Sequence, residues 1–175
     1  NAVRSSKSKN KIALFQPLTL VDMVVYKKPG RDLQRIAELK CRIPFTGLPF
    51  SITKSAIAIF ITELLIKTLH HEEENAALFS FLDEAVQTLD QATKGVENFH
   101  LYFMLKLSAF LGFNPETPDE FVRQIGEEWP PERPEMNLLH LVMGEWIDGA
   151  TIAVDRNARN KLLTALVKYY KIHHM

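Results

Sequence analysis

The chain changes its hydrophobic period once, and that change limits what it can fold into. Up to about residue 43 apolar side chains recur at every second position; from Ser51 they recur every three to four. Between the two regimes stand Pro44, Gly47 and Pro49, a combination that favours irregular backbone and marks a boundary. In the first regime Leu18, Leu20, Asp22, Val24 and Tyr26 alternate with Thr19, Val21, Met23 and Val25. The run is apolar on nearly both sides, as a strand in a curled sheet or barrel would be. Lys28-Pro29-Gly30-Arg31 signals a turn, with Pro fixing φ and Gly open to positive φ. The segment Leu33 to Ile43 sets Ile36 and Ile43 among Arg35, Glu38, Lys40 and Arg42 and reads as the return strand of a hairpin. A shorter strand around Ile12 to Phe15 is expected before them. Three strands leave open edges, so this part reads as a piece of a barrel.

The second regime is helical. Ile57, Phe60, Ile61, Leu64, Leu65 and Leu69 line one face of a helix reaching about His70. Leu78, Phe79, Leu82, Val86 and Leu89 define a second, with Glu72, Glu73 and Glu74 expected in its first turn, where the dipole favours anions. A third runs from about Val96 to Leu111 and stops at Gly112 and Pro115. Thr117-Pro118-Asp119-Glu120 is a capping box that opens a short fourth through Ile125. Trp129-Pro130-Pro131-Glu132-Arg133-Pro134 predicts a loop, Leu138 to Ile147 a fifth helix, and Asp155 the cap of a sixth from Arg156 to about His173. The class is therefore α+β, mainly α: a partial β-hairpin or three-stranded sheet over residues 1–45, then about six helices over residues 46–175.

At 175 residues and 46% hydrophobic, such a chain can build a core without staples. The single cysteine, Cys41, excludes an internal disulfide and a cysteine zinc cage, and in a strand it reads as a small buried hydrophobe. The apolar stretch from Ile52 to Leu69 is interrupted by Lys54, Glu63 and Lys67, so no membrane span is expected, and composition predicts a soluble, intracellular protein. The chain opens on Asn1-Ala2 without Met, which reads as a scar of tag removal and leads us to expect a fragment.

Net charge is zero, yet it is unevenly laid out. Residues 1–70 carry 12 Lys/Arg against 4 Asp/Glu, residues 71–149 carry 4 against 16, and residues 150–175 carry 5 against 1. A field depends on where charges sit, so the basic segments can attract phosphates although the whole is neutral.

Catalytic signatures are absent: there is no G-x-S-x-G, P-loop or G-x-G-x-x-G. His70 and His71 are adjacent and cannot converge on one metal from a helix. His173-His174 reads as a frayed tail. Asp119, Glu120, Glu127 and Glu128 could supply an acid/base pair, but nothing apolar surrounds them to raise a pKa. The rings of Phe99, Tyr102, Phe103, Phe110 and Phe113 could stack bases, yet their helical spacing fits a core.

Lys7-Ser8-Lys9 followed by Leu14-Phe15-Gln16-Pro17-Leu18-Thr19-Leu20 and a hairpin resembles the end of the OB-type barrel of the bacterial RecO family of DNA repair proteins. The helical part is similar too: Lys54-Ser55-Ala56-Ile57-Ala58-Ile59-Phe60, Glu63-Leu64-Leu65, Glu72-Glu73-Glu74-Asn75, and Phe103 to Leu111-Gly112-Phe113. Arg159-Asn160-Lys161-Leu162-Leu163 and Tyr169-Tyr170 resemble the family's closing helix, and the likeness is weakest across residues 115–150. The family's barrel begins some dozens of residues earlier. Its frequent four-cysteine zinc module has no counterpart, so no metal and no other cofactor is expected.

The resemblance implies a non-enzymatic recombination mediator, cytoplasmic and nucleoid-associated. Implied partners are single- and double-stranded DNA, RecR, and the acidic, Phe-ended tail of the single-stranded-DNA-binding protein; the implied outcome is RecA loading and strand annealing. On this chain Arg4, Lys7, Lys9, Lys11, Lys27, Lys28, Arg31 and Arg35 are the candidates for phosphate contact. For the tail we expect an apolar groove between helices with a cation at its mouth, the candidates being Lys106, Arg156, Arg159 and Lys161. The family's basic pair before the third-helix motif is replaced here by Leu101-Tyr102. The competing classes are a helical interaction scaffold without DNA binding and a hydrolase using the acidic segment.

Overall fold

The computed structural model describes residues 13–31, 33–69, 74–146 and 155–174. Strands β1 (Val21–Tyr26) and β2 (Arg35–Cys41) pair antiparallel, with Val21 opposite Cys41 and Tyr26 opposite Arg35. The register shifts between Val24, opposite Glu38, and Val25, opposite Ile36, so Ala37 is an extra residue that kinks β2. Among the described residues the sheet has two strands rather than the three anticipated. The described part of the expected first strand, Ala13–Phe15, is a 3₁₀ turn instead. Its cause lies just downstream. The Thr19 backbone N–H and hydroxyl both donate to the Gln16 carbonyl, at 3.2 and 2.9 Å, and Leu18 takes a left-handed φ of 59°. Beyond that closed turn the ladder begins at Leu20, whose carbonyl accepts from Arg42 N–H at 2.9 Å.

Among the described residues six α-helices follow: α1 (Ile52–Thr68), α2 (Ala76–Gln91), α3 (Phe99–Phe110), α4 (Pro118–Gln124), α5 (Pro134–Met143) and α6 (Arg156–His173). Their starts are written in their caps. The side chains of Ser51, Asn75, Thr117 and Asp155 accept from the backbone N–H three residues on. Asn75 corrects the expected start of α2: Glu74 precedes the cap, and Glu72 and Glu73, like His70 and His71, lie outside the described residues. The acidic first turn is therefore not seen there. In the capping box Glu120 accepts from Glu116 N–H at 2.7 Å while its own N–H donates to Thr117. Helix α5 starts four residues earlier than expected, because Pro134 occupies the first turn, where a missing N–H costs nothing.

Helix α3 is the axis of the core. Phe99, Leu101, Phe103, Met104, Leu105 and Leu107 are all buried, so it is apolar all round, as a helix enclosed by others must be. Phe121, Leu138, Leu139, Leu162 and Leu166 complete the core. The hydroxyl of Tyr170 donates to the Met104 carbonyl at 2.6 Å, and that of Tyr169 to the Phe113 carbonyl. Each buried ring thereby satisfies its one polar atom. The expected frayed tail is docked: the His173 ring stacks on Phe113 at 5.5 Å, and a ring nitrogen of His174 lies 2.8 Å from the Thr68 carbonyl.

The boundary segment is held on the helices by a buried carboxylate. Asp90, near the end of α2, accepts from the backbone N–H groups of Thr46, Gly47 and Leu48 at 3.1, 2.8 and 2.6 Å. The buried Lys54 ammonium donates to the Asp90 carbonyl at 2.6 Å. Gly47 is required by close approach: a Cβ there would collide with the Asp90 carbonyl oxygen. Seven residues earlier on α2, Asp83 pairs with Arg42, whose guanidinium lies 6.0 Å from the Phe79 ring. Phe79, expected in the core, is 59% exposed. So are Met23, Val24, Val25 and Tyr26 to a similar degree, and Cys41 is exposed rather than buried, because nothing among the described residues covers these faces of the hairpin.

Burial alone would raise the Asp90 carboxyl, but the hydrogen bonds from Leu48, Thr46 and Gly47 and the charge of Lys54 outweigh it and hold it below the usual carboxylate range. This stability is present above the unfolded carboxylate pKa and is lost as pH falls through the folded value. Asp90→Ala, which strands three N–H groups and removes the charge facing Lys54, should cost about 3 kcal/mol in urea unfolding. His100 works in a different window. Burial first, then the charge of Arg159, lower its pKa to about 4, against a raising hydrogen bond with the Glu97 backbone. The unfolded chain binds this proton near pH 6.5 and the folded chain only near 4, so stability should decline as pH falls from about 6.5 to 5. In His100→Leu the decline over that range should flatten in thermal melts.

Candidate nucleic-acid and partner interfaces

The tip of the hairpin gathers four of the candidate phosphate contacts. Lys27, Lys28, Arg31 and Arg35 are all exposed. The loop that carries them is pinned by Gln34, a residue the sequence reading did not single out. Its side-chain oxygen accepts from Lys28 N–H at 2.8 Å, and its amide donates to the carbonyls of Lys28 at 3.2 Å and Arg31 at 2.6 Å. Gly30 sits at a φ of 77°, the positive value the turn requires. Tyr26, 61% exposed and opposite Arg35, places a ring beside the cations. Cations flanking an exposed aromatic can hold a phosphate chain and stack a base. Arg4, Lys7, Lys9 and Lys11 lie outside the described residues.

The candidates for peptide binding do not come together. Lys106 lines a groove of about 710 Å³ between α2 and α3. From α2 the groove takes Ala77, Ser80, Phe81, Glu84, Ala85 and Thr88, a single helical stripe with a small-residue floor. Phe81 stacks on Phe110 at 5.0 Å along one wall, and Tyr102 meets Trp146 at 5.6 Å along the other. The Lys106 ammonium lies 5.6 Å from the Tyr102 ring and donates to the Met143 carbonyl at 3.4 Å. The buried Trp146 Nε1 finds no acceptor among the described residues. Burial raises the Tyr102 phenol, a backbone hydrogen bond with Trp146 opposes this, and the charges of Glu84 and Glu145 at the rim add to it. The groove is thus apolar, with donors at its wall and carboxylates at its edge.

Lys161 belongs to a different place, between α6 and the segment leading into α5. There Arg133, Asn160, Lys161, Thr164 and Lys168 surround a hollow of about 340 Å³ with Glu127 and Trp129. Glu135, 2% exposed, takes Arg133 Nε at 3.0 Å and Lys161 Nζ at 3.4 Å. Glu127 takes the Trp129 indole N–H at 2.7 Å and Lys168 Nζ at 3.2 Å. The Trp129 hydrogen bond is the largest influence holding the Glu127 carboxyl below its usual range; burial opposes it, and Lys168 and Arg133 assist. Arg159 is half-buried beside His100, and Arg156 is exposed in the first turn of α6. The acidic residues considered for hydrolysis are dispersed in role: Glu120 serves a cap, Glu127 serves Trp129 and Lys168, and Asp119 and Glu128 are exposed.

Residues 49–124 match the family described as Recombination protein O C terminal. Over 97% of its length the chain is 34% identical to the DNA repair protein RecO of Phocaeicola vulgatus and 32% identical to that of Bacteroides fragilis, covering 76% of each. It is also 34% identical, over 99% of its length, to the DNA repair protein RecO of Flavobacterium psychrophilum, covering 77% of that relative. No solved structure matches. A hairpin joined to a six-helix domain with this similarity defines a recombination and repair protein of bacterial type. The chain belongs to the RecO family. No helix of the described residues is long and apolar enough to cross a membrane.

Because Gln34 supplies three of the loop's bonds, Gln34→Ala should release the hairpin tip. Hydrogen exchange of the Lys28 amide should quicken about tenfold while amides of α3 keep their protection.

Proposed function

We propose that this chain acts as a non-enzymatic recombination mediator in DNA repair. It binds single- and double-stranded DNA through the hairpin tip and engages protein partners through the helical domain. The observation that carries the reading is the tip itself: Lys27, Lys28, Arg31 and Arg35 exposed on a turn that Gln34 holds in shape, with Tyr26 beside them. Such cations neutralise phosphates without reading bases, which suits a protein that must accept any sequence. Arg4, Lys7, Lys9 and Lys11 extend the same basic segment.

The groove between α2 and α3 is where we place the acidic, Phe-ended tail of the single-stranded-DNA-binding protein. Its aromatic walls suit a phenyl ring, and Lys106 could meet a terminal carboxylate. Arg156, Arg159 and Lys161 lie away from this groove and would act on the tail only through the field. RecR is a further proposed partner, and the combined outcome is RecA loading and strand annealing in a cytoplasmic, nucleoid-associated setting.

Lys27→Glu/Lys28→Glu/Arg31→Glu should weaken binding to a labelled duplex at least tenfold and lower the slope of log affinity against log salt by about three. Unchanged affinity and slope would reject the hairpin as a DNA contact. Lys106→Glu should weaken a labelled acidic peptide ending in Phe about tenfold in fluorescence anisotropy.

A further inference from the structure

A second cationic surface lies on α6. Asn157, Lys161, Thr164, Lys168 and Lys171 recur at spacings of four and three, so they form one stripe, and all five are exposed. Fourteen residues of helix carry this stripe about 21 Å. No Asp or Glu occurs from residue 156 to residue 175.

The carboxylates that touch the stripe come from below or from its side. Glu135 is buried beneath Arg133 and Lys161 and positions both, while Glu127 reaches Lys168 from the edge. Towards solvent the surface shows the ammonium groups of Lys161, Lys168 and Lys171 and the amide of Asn157, donor types that meet phosphate oxygens, while the Thr164 hydroxyl donates to the Asn160 carbonyl. Trp129 is only 8% exposed and is covered by the Arg133 guanidinium, 4.9 Å from its ring. Arg133, its side chain 31% exposed, adds a further cation beside the stripe.

We propose that the α6 stripe, with Arg133, binds the phosphate chain of a single-stranded nucleic acid. The alternative of an acidic peptide fits less well. A short tail anchored by one apolar residue needs an apolar pocket, whereas this surface is long, shallow and periodic, and its one large ring is already covered. The inference extends the DNA-binding reading to a second strand: with the hairpin tip, one chain would hold two polyanions at once.

The test is site-specific and uses the unaltered chain first. Acetylation of lysines, read by mass spectrometry with and without a twenty-nucleotide oligothymidylate, should fall at least threefold at Lys161, Lys168 and Lys171 on binding. Labelling there that ignores the oligonucleotide overturns the proposal. Protection of the same lysines by an acidic Phe-ended peptide but not by the oligonucleotide also overturns it, in favour of a peptide site. Lys161→Gln/Lys168→Gln/Lys171→Gln should weaken oligothymidylate binding at least fivefold and reduce the salt slope by about two, measured at a temperature where circular dichroism shows the variant folded. Binding lost only in the hairpin variant rejects the α6 surface and leaves the hairpin reading intact. Binding lost only in the α6 variant supports this surface and rejects the hairpin.

Discussion

One carboxylate holds the two halves of this chain in register. Asp90 replaces the water that three consecutive backbone N–H groups, Thr46 to Leu48, would otherwise need, and its own backbone carbonyl takes the ammonium of Lys54. A segment containing two prolines and a glycine has few ways to satisfy its own polar groups, so it borrows them from α2. Asp83, two turns earlier on the same helix, adds the grip on Arg42 at the foot of the hairpin. Without this arrangement the segment would keep only the packing of Leu18, Phe45 and Leu48 on the core and the Ser55 hydroxyl on the Leu48 carbonyl.

The same helix has another side. The stripe from Ala77 to Thr88 that lines the groove and the pair Asp83 and Asp90 share α2, so the piece that carries the hairpin also forms one wall of the groove between α2 and α3. Its N-terminal half is thinly covered, with burial beginning at Ala85. One wall of the groove and the anchor of the hairpin therefore meet on a single element.

Much of the fold was legible from the residues. Caps at Thr117 and Asp155 and the apolar face of α1 were readable because each follows from a local rule that tertiary packing had no reason to override. The misses have equally local causes. The turn at Gln16–Thr19 uses a side-chain bond and a left-handed Leu, which alternation of apolar residues does not reveal. Asn75 was overlooked because three glutamates beside it looked like a first turn. For the site, cations on a turn could be read directly, but the role of Gln34 could not, since a glutamine that bonds to backbone six residues back leaves no pattern. Likewise the division of Lys106 from Lys161 needed three dimensions.

The contact between His174 and Thr68 changes how the helical part should respond to stress. It fastens the end of the last helix to the end of the first, while Tyr170 ties that last helix to the central one. Held both along its length and at its end, the last helix should open only when the first and central helices open too, so proteolytic nicking within it should track their opening.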